Sequence, residues 1–204
     1  MKPWELFFND KIGQIFLEKK NIIDIGGGLR IDPKRNNRYD KTREWLVSLS
    51  KKVDYKIMDP VPDYSPDIVG DIHNLPFASN SVDAIICIAV LEHVEDPMKA
   101  SREILRTLKP GGYTFIYVPF LYYYHAEKGY YKDYWRFTED SLRMMFKDFS
   151  RFEICAVRGA LGTWIRLSPL GRFKFIEDLF YILDKIFGKI NSKQVSGYNI
   201  FLVK

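Results

Sequence analysis

Cysteine is scarce in this sequence, and no apolar stretch is long enough to cross a membrane. Cys87 and Cys155 lie singly in apolar, strand-like runs, so we expect neither a disulfide framework nor a metal site, and a reducing compartment fits. Charged residues interrupt the apolar stretches before the ~18–20 residues that a bilayer span needs. Residues 1–10 lack the charged, apolar and small-residue segments of a signal peptide. We therefore expect a cytoplasmic protein without a transmembrane segment.

The size and charge of the chain narrow its class further. Its 204 residues, 47% of them hydrophobic, suit one globular domain over residues 1–204. Lysine and arginine number 31 against 26 acidic residues, which gives a net charge of +5. This balance permits an anionic partner without requiring one.

Hydrophobic periodicity predicts strands that alternate with helices. The predicted strands are 21–25, 53–58, 67–69, 82–88, 113–118, 152–157 and 198–203. The predicted helices are 3–20, 42–51, 97–108 and 138–147. Strands that alternate with helices form a parallel sheet with helices on both faces.

Three glycines follow the first predicted strand. Gly26–Gly28 permit positive φ and a close approach of a ligand to the backbone, although a tight turn alone uses glycine for the same reasons. The nicotinamide fingerprint places its third glycine at Ile31, and the first acidic residue that ends a strand, Asp59, comes 33 positions after Gly26, where that fingerprint has roughly 20. No Gly-Lys-Ser/Thr follows as in a P-loop. Dinucleotide and nucleoside-triphosphate sites are therefore disfavoured.

The segment Asp24-Ile25-Gly26-Gly27-Gly28 resembles the first motif of the class I S-adenosylmethionine-dependent methyltransferases. Further segments stand in that family's order and spacing, namely Leu75-Pro76-Phe77, Ser81 to Ile86, Val90 to Val94 and Arg106 to Gly112. The resemblance covers about residues 20–120. It implies a three-layer α/β/α Rossmann-like fold whose mostly parallel seven-stranded sheet has a reversed last strand. It also implies S-adenosylmethionine as cofactor and S-adenosylhomocysteine as product.

The same resemblance assigns the cofactor site. It places the cofactor against Asp24 and the turn Gly26, Gly27 and Gly28, the ribose hydroxyls on Asp59, the adenine on Asp71 and Ile72, and Ile88 and Ala89 beside the cofactor at the end of the fourth strand. A carboxylate suits the ribose because it accepts hydrogen bonds from both hydroxyls of a diol. One position departs from the family: Arg30 stands where a third glycine is expected.

The segment 119–137 carries the candidate acceptor chemistry. It joins several aromatic residues to His125, Asp133 and Arg136, after the fifth strand, where α/β folds bind ligands. The pattern resembles a subset of these methyltransferases associated with bacterial surface-glycan biosynthesis. We expect O-methylation of a small-molecule or glycan-type acceptor, with His125 as general base and Asp133 as its orienting partner or as an alternative base. The alternative is an aromatic loop packed on the core, with Asp133 paired to Arg136.

The other two histidines have more structural interpretations. His93 is expected to organise the helix start after the fourth strand, and His73 is expected in the adenine-side loop. Two further functions stay open at this point. The basic loop 30–38 permits an RNA methyltransferase, and Arg30 in the glycine turn permits a protein that binds the cofactor without catalysis.

Residues 160–192 are predicted to form a helical insertion before the last strand. Apolar residues recur at near-helical spacing from Phe173 onwards, with lysines and acidic residues between them. This insertion packs on the sheet or the first helix, forms a homodimer face or a lid over the acceptor, or lies on a membrane surface.

Overall fold

Seven strands form one sheet in the computed structural model, which describes residues 1–32 and 39–204. They are β1 Asn21–Ile25, β2 Asp54–Asp59, β3 Ile68–Val69, β4 Val82–Ile88, β5 Leu108–Pro119, β6 Arg151–Val157 and β7 Gly197–Val203. Their order is β3-β2-β1-β4-β5-β7-β6. Neighbours from β3 to β5 are parallel, whereas β7 runs antiparallel to both β5 and β6. The mostly parallel sheet with a reversed last strand is confirmed.

Helices cover both faces of this sheet. They are α1 Pro3–Glu18, α2 Val47–Ser50, α3 Pro97–Thr107, α4 Glu139–Met145, α5 Ala160–Arg166 and α6 Lys174–Ile186. Alternate strand residues point to opposite faces, so Ile22 packs in one core with α1 and Ile23 packs in the other with α3 and α4. The three-layer arrangement is confirmed. Within the two described ranges, no helix has both the length and the apolar character needed to cross a membrane.

Two predicted boundaries are wrong. Residues 41–46 form a 3-10 helix before the single turn α2, where one helix over 42–51 was expected. Residues 109–112 were expected to form a loop between helix and strand, yet they lie within β5. The Gly111 N–H donates to the Lys204 carbonyl and the Lys204 N–H donates to the Gly112 carbonyl, both at 3.0 Å. Pairing with the end of the chain therefore lengthens the strand, and no local pattern reveals it.

The helices α5 and α6 lie between β6 and β7. The Asp184 side chain of α6 is fully buried and accepts hydrogen bonds from the N–H groups of Leu161 and Gly162, each at 2.9 Å, at the start of α5. The Nζ of Lys2, just before α1, lies 3.1 Å from the Glu177 carboxylate of α6. One side of this helical pair is thus fixed to the rest of the domain.

The sheet order also locates the place where a ligand binds. Chain connections leave β1 in one direction toward β2 and β3 and in the other toward β4 and β5. A crevice forms at the carboxyl ends of the strands at such a reversal point. The glycine turn after β1 and residues 88–93 after β4 face this crevice.

Candidate functional site

The glycine turn packs directly against the end of β4. Gly26 and Gly27 have φ of 78° and 60°, in the left-handed region that favours glycine. A Cβ on Gly28 would lie 2.6 Å from the Ile88 Cβ, and one on Gly26 would lie 2.6 Å from the Val90 Cγ2. Sequence reasoning explained these glycines by collision with a cofactor. In the structure, the collision that they avoid is with the protein itself: with Ile88 at the end of β4 for Gly28 and with Val90 just after β4 for Gly26.

Asp24 lies beneath this turn and holds its shape. Its carboxylate is fully buried and accepts from the N–H groups of Gly28 and Leu29, both at 3.1 Å, and from the Tyr55 hydroxyl at 2.6 Å. Burial raises the pKa of Asp24 to about 6, although these three hydrogen bonds act in the opposite direction. Asp24 does not line the cleft described below. It shapes the turn from below, and its place in the cofactor site stays a prediction.

A second support of the turn is Arg43, which sequence reasoning missed. Its guanidinium donates to the carbonyls of Gly28 at 2.6 Å and Leu29 at 3.1 Å. The 3-10 helix of residues 41–46 brings Arg43 there. No spacing rule marks such a residue, because the contact depends on how that helix docks beside the turn.

Arg30 adopts the conformation of the glycine that it replaces. Its φ is 56°, and its backbone is held by the N–H donation to the Gly27 carbonyl at 3.1 Å and by acceptance from the Asp40 N–H at 2.9 Å. The side chain is exposed and lines the cleft. A non-glycine residue pays about 1–2 kcal/mol for this region of φ. The rest of the 30–38 loop, Pro33 to Arg38, lies outside the described residues.

The remaining predicted cofactor residues lie at the ends of neighbouring strands. Asp59 ends β2, is buried, and accepts from the Val61 N–H at 2.9 Å. Ile88 ends β4, and the following Ala89 has a φ of 54°. Both residues and Asp59 line the cleft. The structure therefore brings these predicted positions to one sheet edge.

The adenine-side pair lies next to them. Ile72 is buried in the core beneath the cleft, whereas Asp71 is largely exposed. Partial burial would raise the pKa of Asp71, but hydrogen bonds from the N–H and the imidazole of His73 hold it below its usual value. The Asp71 carboxylate lies 2.7 Å from the His73 Nδ1, which puts His73 in the adenine-side loop as expected.

An open cleft of about 1740 Å³ joins the strand ends to the aromatic segment. Its lining includes the glycine turn, Asp59, Asp71, Ile72, Ile88, Ala89, His93, Tyr117, Tyr124, Tyr130, Tyr131, Lys132 and Tyr134. Cavities for a single small ligand usually measure about 300–1,000 Å³. The cleft is thus large enough for a nucleoside cofactor and a second molecule together.

The Asp133 carboxylate is already bonded to its neighbours in the aromatic segment. Its side chain is fully buried, lies 2.6 Å and 2.7 Å from the two terminal nitrogens of Arg136, and accepts from the His125 N–H at 2.8 Å. Burial alone would raise the pKa of Asp133, but the Arg136 guanidinium and the His125 N–H lower it to about 2. Such a carboxylate is a poor base at neutral pH. Its geometry fits the orienting role, since its Oδ2 lies 3.2 Å from the His125 Nδ1.

The His125 imidazole faces a buried carboxylate that sequence reasoning missed. Its Nε2 lies 3.7 Å from Oε1 of Glu92, and the His93 Nε2 lies 3.9 Å from the same oxygen. The Glu92 carboxylate raises the pKa of His125 against the effect of burial, helped by the Tyr123 carbonyl and by Asp133. His93 lines the cleft, whereas His125 does not. His125 as general base therefore stays a prediction, and His93 is the imidazole of this cluster that lines the cleft.

Comparison with known proteins shows what this chain is similar to. Residues 34–116 match the family model described as a methyltransferase domain. A demethylmenaquinone methyltransferase of Paenarthrobacter aurescens is 53% identical over 45 residues, which cover 22% of this chain and 18% of that protein. A tRNA U34 carboxymethyltransferase of Campylobacter curvus is 26% identical over 125 residues, 55% of this chain and 40% of that protein. This chain thus spans under half the length of both curated relatives.

A solved structure matches the whole fold. It is a SAM-dependent methyltransferase from Archaeoglobus fulgidus, with 12% identity, a TM-score of 0.59 and complete coverage of both chains. The sequence match begins after the glycine turn, so the turn itself is supported by the fold and not by that match. The chain thus contains a segment similar to a methyltransferase domain, and its fold is that of a solved SAM-dependent methyltransferase.

Proposed function

We propose that this chain transfers the methyl group of S-adenosylmethionine to a hydroxyl oxygen of a small-molecule or glycan-type acceptor. The acceptor oxygen attacks the methyl carbon, and the carbon–sulfur bond breaks. Its electron pair returns to sulfur, which leaves S-adenosylhomocysteine, and the hydroxyl proton passes to a base. The enzyme's contribution to such an in-line displacement is orientation and exclusion of water.

One observation carries the proposal: a single cleft joins the cofactor residues to the aromatic segment. In our proposal the cofactor lies along the strand ends, with its ribose on Asp59 and its adenine between Asp71 and Ile72. Its sulfonium then lies near Gly26–Gly28 and the β4 end. Residues 124, 126–132 and 134 line the same cleft, and in our proposal they bind the acceptor.

The aromatic lining of the cleft supports a hydroxylated acceptor. Tyr124, Tyr130, Tyr131 and Tyr134 are among the lining residues, and the hydroxyls of Tyr130 and Tyr134 donate to acidic side chains. Aromatic faces combined with a few polar groups suit a sugar ring, which has both apolar and hydroxylated surfaces.

The imidazole pair is proposed to receive the acceptor proton. His125 stays the predicted base, with Asp133 as the residue that positions it. His93 is the member of the pair that lines the cleft, so the acceptor hydroxyl is expected to approach the pair from the His93 side. A histidine base contributes typically about 10²–10⁴-fold to such a step.

Calorimetry and a transfer screen test the proposal. We expect tag-free protein to bind S-adenosylmethionine and S-adenosylhomocysteine, and Asp59→Ala to lose most of that affinity while keeping its thermal melting curve. Radiolabelled methyl transfer is then screened against nucleotide sugars, lipid-linked glycans and RNA. Binding of neither cofactor form would contradict the proposal, and binding without transfer to any acceptor class would favour a binding-only protein.

RNA methylation is the second candidate function. One relative is named as acting on tRNA, and the chain carries a net charge of +5. The basic loop 30–38 that favoured this function lies mostly outside the described residues. Label in RNA, together with RNA binding that weakens steeply as salt increases, would establish it over the glycan acceptor.

The helical pair α5–α6 presents an outer apolar face. Its members are at least 41% exposed and are Trp164, Leu167, Leu170, Phe173, Phe175, Leu179, Ile182, Ile186 and Phe187. Among the acidic residues of α6, Asp184 is buried, Glu177 pairs with Lys2, and the half-exposed Asp178 pairs with Lys2 as well. The exposed charged residues around the face include Arg172, Lys174, Lys185 and Lys189. An apolar face bordered by cations complements an anionic lipid surface.

We propose that this outer apolar face rests on anionic membranes from the cytoplasmic side. The two free cysteines are compatible with that reducing compartment. Flotation with phosphatidylglycerol-containing vesicles is expected for the wild type and lost in Phe175→Ser/Ile186→Ser. The control Leu17→Ser changes a side chain that is 72% exposed on α1 and is expected to float normally. A dimer in sedimentation that the double variant abolishes, without flotation of the wild type, would assign the face to a second copy instead.

A further inference from the structure

Three potential metal ligands converge beside the cleft. They are the Glu92 carboxylate and the Nε2 atoms of His93 and His125, and their ligand atoms all lie within 4.8 Å of one another. The carboxylate oxygen Oε1 lies 3.7 Å from one ring nitrogen and 3.9 Å from the other. These separations exceed hydrogen-bond length, so the three groups surround a point without bonding to each other.

Glu92 is the member that needs an explanation. Its side chain is 1% exposed, and neither carboxylate oxygen has a hydrogen-bond partner among the described residues. A buried charge without hydrogen bonds is costly unless a cation or a metal compensates for it. The nearby guanidinium of Arg136 is paired with Asp133 at 2.6 Å, so it does not form a hydrogen bond with Glu92.

Both imidazoles are held in the orientation of metal ligands. The His93 Nδ1 lies 2.6 Å from the Lys132 carbonyl, and the His125 Nδ1 lies 3.1 Å from the Tyr123 carbonyl. A carbonyl only accepts, so each Nδ1 carries a proton, and in the neutral rings each Nε2 directs a lone pair toward Glu92. Two lone pairs directed at a carboxylate repel it unless a cation lies between them. An Nδ1–H bonded to a carbonyl or carboxylate is also the usual outer support of a ligating histidine.

We propose that Glu92, His93 and His125 bind a first-row divalent transition-metal cation. Two imidazoles and one carboxylate suit zinc, manganese, iron or cobalt, whereas magnesium and calcium favour oxygen ligands alone. Bonds of about 2.0–2.2 Å place ligand atoms roughly 3.4 Å apart around a tetrahedral ion. The two Glu92 separations need to close by only a few tenths of an ångström. Sequence reasoning expected no metal site, because it considered cysteine and could not see that His125 approaches Glu92.

The position of this site gives the cation a role, which rests on the proposed function. His93 lines the cleft, so coordination positions not filled by protein face the acceptor. A cation there would bind the acceptor oxygen, and a neighbouring hydroxyl of a diol would complete the chelate. By lowering the pKa of the bound hydroxyl it would promote loss of the proton before methyl transfer.

Cobalt(II) alone is the probe for the site. Tag-free, chelator-treated full-length protein is expected to bind one Co²⁺, with visible absorption typical of nitrogen and oxygen ligation. Glu92→Gln, His93→Ala and His125→Ala should each weaken binding by more than about tenfold. His73→Ala removes the remaining histidine and leaves the cluster intact, so it should retain full Co²⁺ binding. Retained binding in Glu92→Gln, or equal loss in His73→Ala, would overturn the site.

Folding and catalysis are measured separately on the same proteins. Glu92→Gln is nearly isosteric and removes a buried charge, so its metal-free form is expected to keep its S-adenosylmethionine affinity and melt no earlier than the wild type. Stoichiometric Co²⁺ binding without methyl transfer to any acceptor would leave the site standing and reject the proposed function. Transfer that persists at full rate in a chelator, with no Co²⁺ binding, would reject the site and leave the imidazole pair as base.

Discussion

The cofactor edge and the acceptor cluster of this cleft are built in opposite ways. The cofactor edge is the turn Gly26–Gly28. Its shape is set by positive φ and by hydrogen bonds from the N–H groups of Gly28 and Leu29 to Asp24, with Arg43 and Tyr55 as supports from further along the chain. The acceptor cluster, Glu92, His93 and His125, is made of side chains that two distant segments bring together. A local motif therefore describes the first well, whereas the second depends on how residues 119–137 fold back over β4.

The largest effect is expected at the acceptor cluster. His125→Ala should lower turnover by about two to four orders of magnitude, because it removes the proposed base or metal ligand. Its affinity for S-adenosylmethionine should stay nearly unchanged, since His125 does not line the cleft. Steady-state rates and calorimetry on the same preparation check both halves. Normal turnover would remove His125 from the mechanism, and the acceptor cluster would then have no demonstrated role.

Asp24, the buried carboxylate under the glycine turn, should make the protein less stable as pH rises. The pKa of Asp24 is about 6 in the folded protein and 3.8 in the reference state. Between these values the folded state holds the proton and the unfolded state does not, so stability falls as pH rises. The contribution of Asp24 to the unfolding free energy should drop by roughly 2 kcal/mol from pH 4 to pH 6 and by a few tenths of a kcal/mol more above pH 6.

Urea unfolding of the wild type and of Asp24→Asn at both pH values isolates this contribution. The difference in unfolding free energy between the two proteins should fall with rising pH, because the amide does not titrate. A difference that is flat or rises would show that the turn's hydrogen bonds outweigh burial and keep Asp24 ionised.

A methyl group at the third glycine of the turn should damage the cofactor edge alone. Gly28→Ala places its Cβ 2.6 Å from the Ile88 Cβ and 2.7 Å from the Ile88 carbonyl oxygen, and such overpacking costs about 1–3 kcal/mol. Loss of S-adenosylmethionine affinity is expected with it, while Co²⁺ binding persists. Gly111→Ala is the matched control: its φ is 74° and nothing lies within 4 Å, so only backbone strain of about 1 kcal/mol is expected. Equal effects of both changes would refute close packing as the reason for Gly28.

The smallest effect is expected at Arg30. Arg30→Gly should stabilise the protein by about 1 kcal/mol, because glycine adopts the φ of 56° without strain. Thermal melting measures this gain, and calorimetry with S-adenosylmethionine shows whether the exposed side chain also contributes to the cleft. Arg30→Lys keeps the strain and a positive charge and serves as control. A less stable glycine variant would mean that the arginine side chain contributes more than its backbone costs.

Local patterns predicted most of the elements but not their exact limits. The strand at 82–88 was predicted with the bounds that β4 has, since a run buried on both faces is apolar throughout. The capping chemistry at Thr138 was also visible, and its side chain accepts from the Ser141 N–H at 3.2 Å. The predicted start of β5 was wrong because Gly111 and Gly112 pair with Lys204, which is far from them in the sequence.

In the candidate site, too, the sequence predicted some residues, whereas others depend on tertiary packing. Asp59 and Ile72 were assigned through a resemblance, and parallel strands necessarily bring their carboxyl ends to one edge. Asp24 was assigned to the cofactor, but its burial and three hydrogen bonds turn it toward the backbone. Arg43 was not predicted, because its contact with the turn depends on the docking of a short helix.

By itself, the sequence determined the alternation of strands and helices, the glycine turn and the methyltransferase-like order of motifs, because these depend on neighbours along the chain. Only the tertiary structure decided which imidazole lines the cleft, why Gly28 cannot carry a Cβ, and that Glu92 is buried without a hydrogen bond beside His93 and His125. Each of these depends on distances between segments far apart in sequence. Packing fixes such distances, and a local sequence pattern carries no information about them.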